Sequence, residues 1–74
     1  MTASKPYRLG NFEEAFGIVN EVHKEERFLI IQLGKLSFIL PPEMEKELHG
    51  YIGKRIGILH TDIPQKQYLV HLIQ

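Results

Sequence analysis

The most regular alternation along the chain runs through RFLIIQLGKLSFILP, residues 27 to 41. Two apolar runs flank Gly34-Lys35, a two-residue connection whose first position suits the positive φ of a type II′ turn. That turn places Leu33 opposite Leu36, Ile31 opposite Phe38 and Leu29 opposite Leu40, so six large apolar side chains share one face, the predicted core. The other face pairs Ile30 with Ile39 and Gln32 with Ser37. Upstream, EAFGIVNEVHK alternates as well. Phe16, Ile18 and Val22 fall on one parity, Gly17, Val19, Glu21 and His23 on the other, and Asn20 is the one polar residue on the apolar side. Gly17 within this strand predicts a bend or bulge, which would also re-aim Asn20. A turn at Glu25-Glu26 extends the register, with Val22 opposite Leu29 and Ile18 opposite Leu33, and makes a three-stranded meander.

PPEMEKELHG, residues 41 to 50, predicts a short helix. Pro42 suits its first turn, the carboxylates of Glu43, Glu45 and Glu47 favour the N-terminal end of the helix dipole, Met44 and Leu48 share a face, and Gly50 is the expected C-cap. KRIGILHT and QYLVHLI predict two more strands around Pro64, with Gly57 at a point of curvature or close packing. The expected order is strand, strand, strand, helix, strand, strand: an all-β fold with one short helix. Residues 1 to 11 show no periodicity and predict a flexible N-terminal tail, followed by a single small domain over 12 to 74.

Composition narrows the picture. Seventy-four residues bury only about 60% of the surface of the unfolded chain, so the core has to be efficient. The absence of Cys rules out disulfides and thiolate metal sites. Nine basic residues balance nine acidic ones, which weakens any case for strong non-specific binding to phosphates. The charges are uneven, however. Glu13, Glu14, Glu21, Glu25 and Glu26 lie early and three Glu lie in the helix, while Arg27, Lys35, Lys54, Arg55 and Lys66 stand elsewhere, so one surface can be basic in a neutral protein. No apolar stretch opens the chain and none approaches the length of a membrane span, so a cytoplasmic protein is expected.

The element order, the bend at Gly17 and the Gly34-Lys35 hairpin resemble the OB-fold, a five-stranded Greek-key barrel with a helix between its third and fourth strands, over residues 13 to 73. FGIVNEV is also similar to the opening of small molybdate-binding barrels, but no Ser/Thr-rich oxyanion segment accompanies it. An SH3-like barrel is a further alternative, one that usually lacks a full helix at this position. The OB resemblance implies a binding surface on the outer face of strands two and three, for single-stranded nucleic acid or for protein.

No motif of an enzyme is present, neither GxGxxG, P-loop, GxSxG nor HExxH, and no catalytic residue or cofactor is expected. His60 and His71 sit in neighbouring strands, but two histidines fall short of the three or four ligands of a zinc site, so they read as ordinary strand residues and no metal is expected. The outer face of the first three strands should present Val19, His23, Phe28, Ile30, Gln32, Ser37 and Ile39, with Lys24, Arg27 and Lys35 at its edges. An aromatic ring among cations is what single strands need, since bases stack on rings and cations meet phosphates. Lys24, Arg27, Phe28, Ile30, Lys35, Ile39 and Tyr68 are therefore the candidate nucleic-acid-binding residues. The alternative is a protein-interaction module, or a homodimer that covers the same face.

Overall fold

The structure is a computed structural model that describes residues 6–73. Five antiparallel strands form one sheet: β1 (Glu14–Lys24), β2 (Leu29–Leu33), β3 (Leu36–Leu40), β4 (Arg55–His60) and β5 (Tyr68–Leu72), in the spatial order β3-β2-β1-β4-β5. Between β3 and β4 a 3₁₀ turn, Pro42–Met44, runs into the short helix α1, Glu45–His49. A second 3₁₀ turn, Pro64–Lys66, precedes β5. Thr61, buried ahead of it, holds this loop: its hydroxyl donates to the carbonyl of Lys66 and accepts the N–H of Ile63 at 3.1 Å. The sheet is not closed, because β3 and β5 are its two ends.

The β2–β3 hairpin has the expected register, from Leu29 opposite Leu40 to Leu33 opposite Leu36. Gly34 takes φ 60° while Lys35 keeps a negative φ, as a type II′ turn requires. Leu29, Ile31, Leu33, Phe38 and Leu40 are buried. Leu36 is 47% exposed, because β1 pairs with β2 no further along than Val19 opposite Leu33. Leu48 is fully buried and Met44 packs against the same core, which is how the helix docks on the sheet. Gly50 follows the helix with φ −69°. The left-handed residue comes three positions later, at Gly53 with φ 87°.

The first strand departs from the expected register. Val22 pairs with Ile31 rather than Leu29, and Val19 with Leu33 where Ile18 was expected. The turn into β2 is centred one residue later than expected: the N–H of Glu25 donates to the carbonyl of Phe28 at 2.8 Å, so Glu26-Arg27, not Glu25-Glu26, is its central pair. A bulge between Val19 and Glu21 inserts Asn20 as an unpaired residue, and one extra residue exchanges the two faces of a strand. Ala15 and Val19 therefore point inward before the bulge and Val22 after it, while Phe16 and Ile18 are exposed. Asn20 is re-aimed by its own bulge, and its Nδ2 donates to the carbonyl of Gly34 at 2.8 Å. At this point β1 passes from β2 to β4, pairing Ile18 with Arg55 and Phe16 with Gly57. A Cβ on Gly17 would stand 3.1 Å from Cβ of Leu33, so the expected bend is also a point of close strand approach.

Residues 1–5 of the expected tail lie outside the described residues. Beyond them, the N–H of Tyr7 donates to the carbonyl of Ser37 at 2.7 Å and its carbonyl accepts the N–H of Ile39 at 2.8 Å. The Tyr7 and Phe38 rings lie 6.1 Å apart, and Leu9 is buried in the core.

Candidate binding faces

The expected face, on the outside of β1, β2 and β3, lines up His23, Ile30 and Ile39 in one row and Glu21, Gln32 and Ser37 in the next. Glu21, His23, Ile30, Gln32 and Ser37 line a shallow depression of about 210 Å³. Val19, expected on this face, is fully buried because of the bulge. Ile30, Ile39 and Phe28 are half-buried. Carboxylates edge the depression: His23 Nε2 lies 2.7 Å from Oε2 of Glu25, and Lys24 Nζ lies 3.8 Å from Oε1 of Glu45, a helix residue. Lys24, Arg27 and Phe28 gather at the β1–β2 end of this face. Lys35 sits at the opposite end of the β2–β3 hairpin, and Tyr68 lies on β5, across β1 and β4 from the rest. Tyr68 packs on the inner side, its ring 4.7 Å from that of His60. Burial there raises its pKa above 10.0, and nearby Arg8 opposes part of that rise. The expected constellation of one ring among three cations is therefore divided between two ends of the sheet.

A second face lies on the outside of the first half of β1 with β4 and β5. Pairing aligns Phe16, Gly57 and His71 in one row across the three strands. Gly57 leaves room for its neighbours: a Cβ there would stand 2.7 Å from Cε1 of His71 and 3.0 Å from Cε1 of Phe16. The two rings meet over it edge to face, with centroids 6.3 Å apart at 77°, and they bury the glycine backbone. Phe16 itself is 57% exposed. In adjacent rows Ile18 faces Arg55, and Glu14, Leu59 and Leu69 align. Ile18 and Leu69 are each 42% exposed, and Glu14 Oε2 lies 3.9 Å from Nε2 of His71.

The cations that sequence reading left scattered meet at one end of this second face. Gly34 N–H donates to the carbonyl of Ile18 at 3.0 Å, and Val19 N–H to the carbonyl of Lys54 at 2.9 Å. With Arg55 opposite Ile18, these bonds gather the backbones of Lys35, Lys54 and Arg55 around Ile18–Asn20. All three side chains are exposed. Among the described residues, none of the three is within ion-pair distance of a carboxylate. The available signal was Asn20, the polar residue on the wrong parity. Treated as the bulge itself, it moves Phe16 and Ile18 to the surface.

His60 and His71 point to opposite faces of the sheet, His60 inward beside Tyr68 and His71 outward beside Phe16. Nδ1 of His60 is buried and has no hydrogen-bond partner among the described residues. No group of three His, Asp or Glu is placed to hold a metal ion among the described residues, and no described helix is long and apolar enough to cross a membrane. No family model matches the chain, nor does any curated protein or any solved structure.

Proposed function

We propose that this chain is a non-catalytic binding module on an OB-like barrel frame opened between β3 and β5, and that it binds single-stranded nucleic acid on the outer face of β1, β4 and β5. The frame rests on the strand order with the helix after β3. The observation that carries the ligand reading is the exposed Phe16 ring, propped edge to face by His71 over Gly57, beside the end of the face where Lys35, Lys54 and Arg55 gather. A base stacks on such a ring without sequence preference, and unpaired cations beside it meet phosphates. The outer face of β1, β2 and β3 offers a less exposed ring, and there Glu45 already engages Lys24.

Titration with mixed-sequence single-stranded oligonucleotides at about 50 and about 200 mM salt tests the reading, since counterion release favours binding at the lower value. Phe16→Ala is expected to cost about 1–3 kcal/mol of affinity. Arg55→Ala is expected to weaken all sequences alike and to lower the salt slope by about one contact, whereas Phe28→Ala leaves binding unchanged. Absence of affinity in the parent at the lower salt sinks the nucleic-acid reading. A second reading, docking of this face on another protein, is favoured by the aliphatic exposure of Ile18 and Leu69. It predicts no oligonucleotide affinity at either salt.

A further inference from the structure

The two ends of the sheet are treated differently. The β3 edge is occupied, because Tyr7 lies alongside it and exchanges backbone hydrogen bonds with Ser37 and Ile39. The β5 edge has no neighbouring strand among the described residues. Thr61 N–H donates to the carbonyl of Gln67 at 2.7 Å, and Ile73 N–H to the carbonyl of Arg55 at 2.9 Å. These bonds bracket the β4–β5 ladder and fix its phase: Gln67, Leu69, His71 and Ile73 are the residues bonded toward β4. In an antiparallel ladder the alternate residues point their N–H and C=O groups the other way. Those are Tyr68, Val70 and Leu72. No backbone group of another segment bonds to any of them among the described residues.

The edge lacks the usual protection. Exposed edge strands normally carry Lys, Pro or an inward charge that discourages pairing, and β5 reads Tyr-Leu-Val-His-Leu, with no Pro and no Lys, Arg, Asp or Glu. Leu72 is 44% exposed. A groove of about 460 Å³, lined by Tyr68, Leu69 and Val70 together with Pro41, Glu43, Met44 and Glu47, leaves space between this edge and the β3–α1 connection.

We propose that β5 is an interface strand that pairs antiparallel with β5 of a second copy of this chain. The strand is self-complementary about Val70. A two-fold axis there sets Val70 opposite its own copy, Tyr68 opposite Leu72 and Leu69 opposite His71. The inner row is then wholly apolar, and no like charges face one another. The groups that donate and accept across the new ladder are those of Tyr68, Val70 and Leu72, left free by β4. The two sheets become one, and the outer faces that carry Phe16 and His71 become neighbours across the axis.

The inference is independent of what the outer face binds, so an oligonucleotide result leaves it standing or falling on its own test. Sedimentation of the full chain over a concentration series is expected to show mass rising toward that of a dimer. Leu72→Pro removes an N–H that β4 does not use, and Pro is tolerated at such edge positions. It is expected to weaken association at least about tenfold, while the melting temperature of the dilute protein changes little. Ile18→Glu, on the outer face away from the edge, leaves association intact. Amide exchange gives a readout that does not depend on a variant folding: the N–H groups of Val70 and Leu72 become protected as concentration rises, while those of Leu69 and His71 are protected throughout. A monomeric mass at all concentrations overturns the proposal. So does a dimer that Leu72→Pro leaves intact or Ile18→Glu dissolves, or protection of Val70 and Leu72 that ignores concentration.

Discussion

Gly57→Ala separates the binding surface from the fold. The new Cβ would stand 2.7 and 2.8 Å from Cε1 and Nε2 of His71 and 3.0 Å from Cε1 of Phe16. Carbon atoms pack comfortably at about 3.5–4.0 Å, so both rings must retreat by about 1 Å. They are able to do so, because both are exposed side chains at the ends of flexible bonds and not backbone. The cost is the edge-to-face packing, about 0.5–1.5 kcal/mol. Against it stands a gain of about 0.4–1 kcal/mol from restricting the unfolded chain, available because Gly57 does not need a positive φ. The two nearly cancel, so the melting temperature should stay within about 4–8 °C of the parent, the shift produced by 1 kcal/mol in a domain of this size. Binding behaves differently. If Phe16 is the stacking platform, displacing it forfeits part or all of about 1–3 kcal/mol, a loss of up to about 150-fold. Thermal melting read by circular dichroism, beside fluorescence anisotropy with a labelled oligonucleotide, measures both quantities. A variant that melts like the parent and binds like the parent refutes the platform. A variant destabilised by more than about 3 kcal/mol, the scale of a core lesion, refutes the assignment of the two rings to the outer surface.

Three further outcomes are expected. Phe38→Ala should cost about 3–5 kcal/mol in denaturant unfolding, since Phe38 is buried opposite Ile31, and a parent-like midpoint would falsify the hairpin register. Burial raises the Tyr68 pKa above 10.0 in the folded state, so its contribution to stability is complete below about pH 10 and is lost as pH climbs through the raised value; Tyr68→Phe should show a shallower alkaline loss than the parent in melts from pH 8 to 12. Added zinc should leave the melting temperature unchanged, and a saturable rise abolished by His60→Ala or His71→Ala would contradict the reading of both as strand residues.

The two surfaces also show how charge and topology combine. Lys24 and Arg27 lie close in sequence to the β2–β3 face, yet Lys24 faces a helix carboxylate. Lys54 and Arg55 are neighbours in the chain, and Lys35 comes beside them only because β1 crosses from β2 to β4 at Ile18–Asn20. The Lys54-Arg55 pair is visible in the sequence, but nothing local links it to Lys35, 19 residues upstream.

What the sequence determined by itself was local. The Gly34-Lys35 turn and strict alternation on both sides of it specified the hairpin register, because a slip of one residue would have moved Ile31 and Phe38 into water. Pro42, the Met44–Leu48 spacing and Gly50 marked the short helix in the same way, and the apolar runs after Gly53 marked two strands. The faces of β1 needed tertiary structure. Alternation alone set Phe16 and Ile18 inward, and it did so because pattern assumes one unbroken period of two. The strand instead serves two partners, β2 beyond the bulge and β4 before it, and Asn20 is spent as an extra residue where they meet. With the period reset there, Ala15 and Val19 go into the core and Phe16 and Ile18 go to the surface. The placement of the β1–β2 turn, the occupied β3 edge and the β5 edge left open among the described residues were likewise decided by which strands lie next to which. Hydrogen bonding across strands carries that information, and it joins residues too far apart in the chain for local pattern to register.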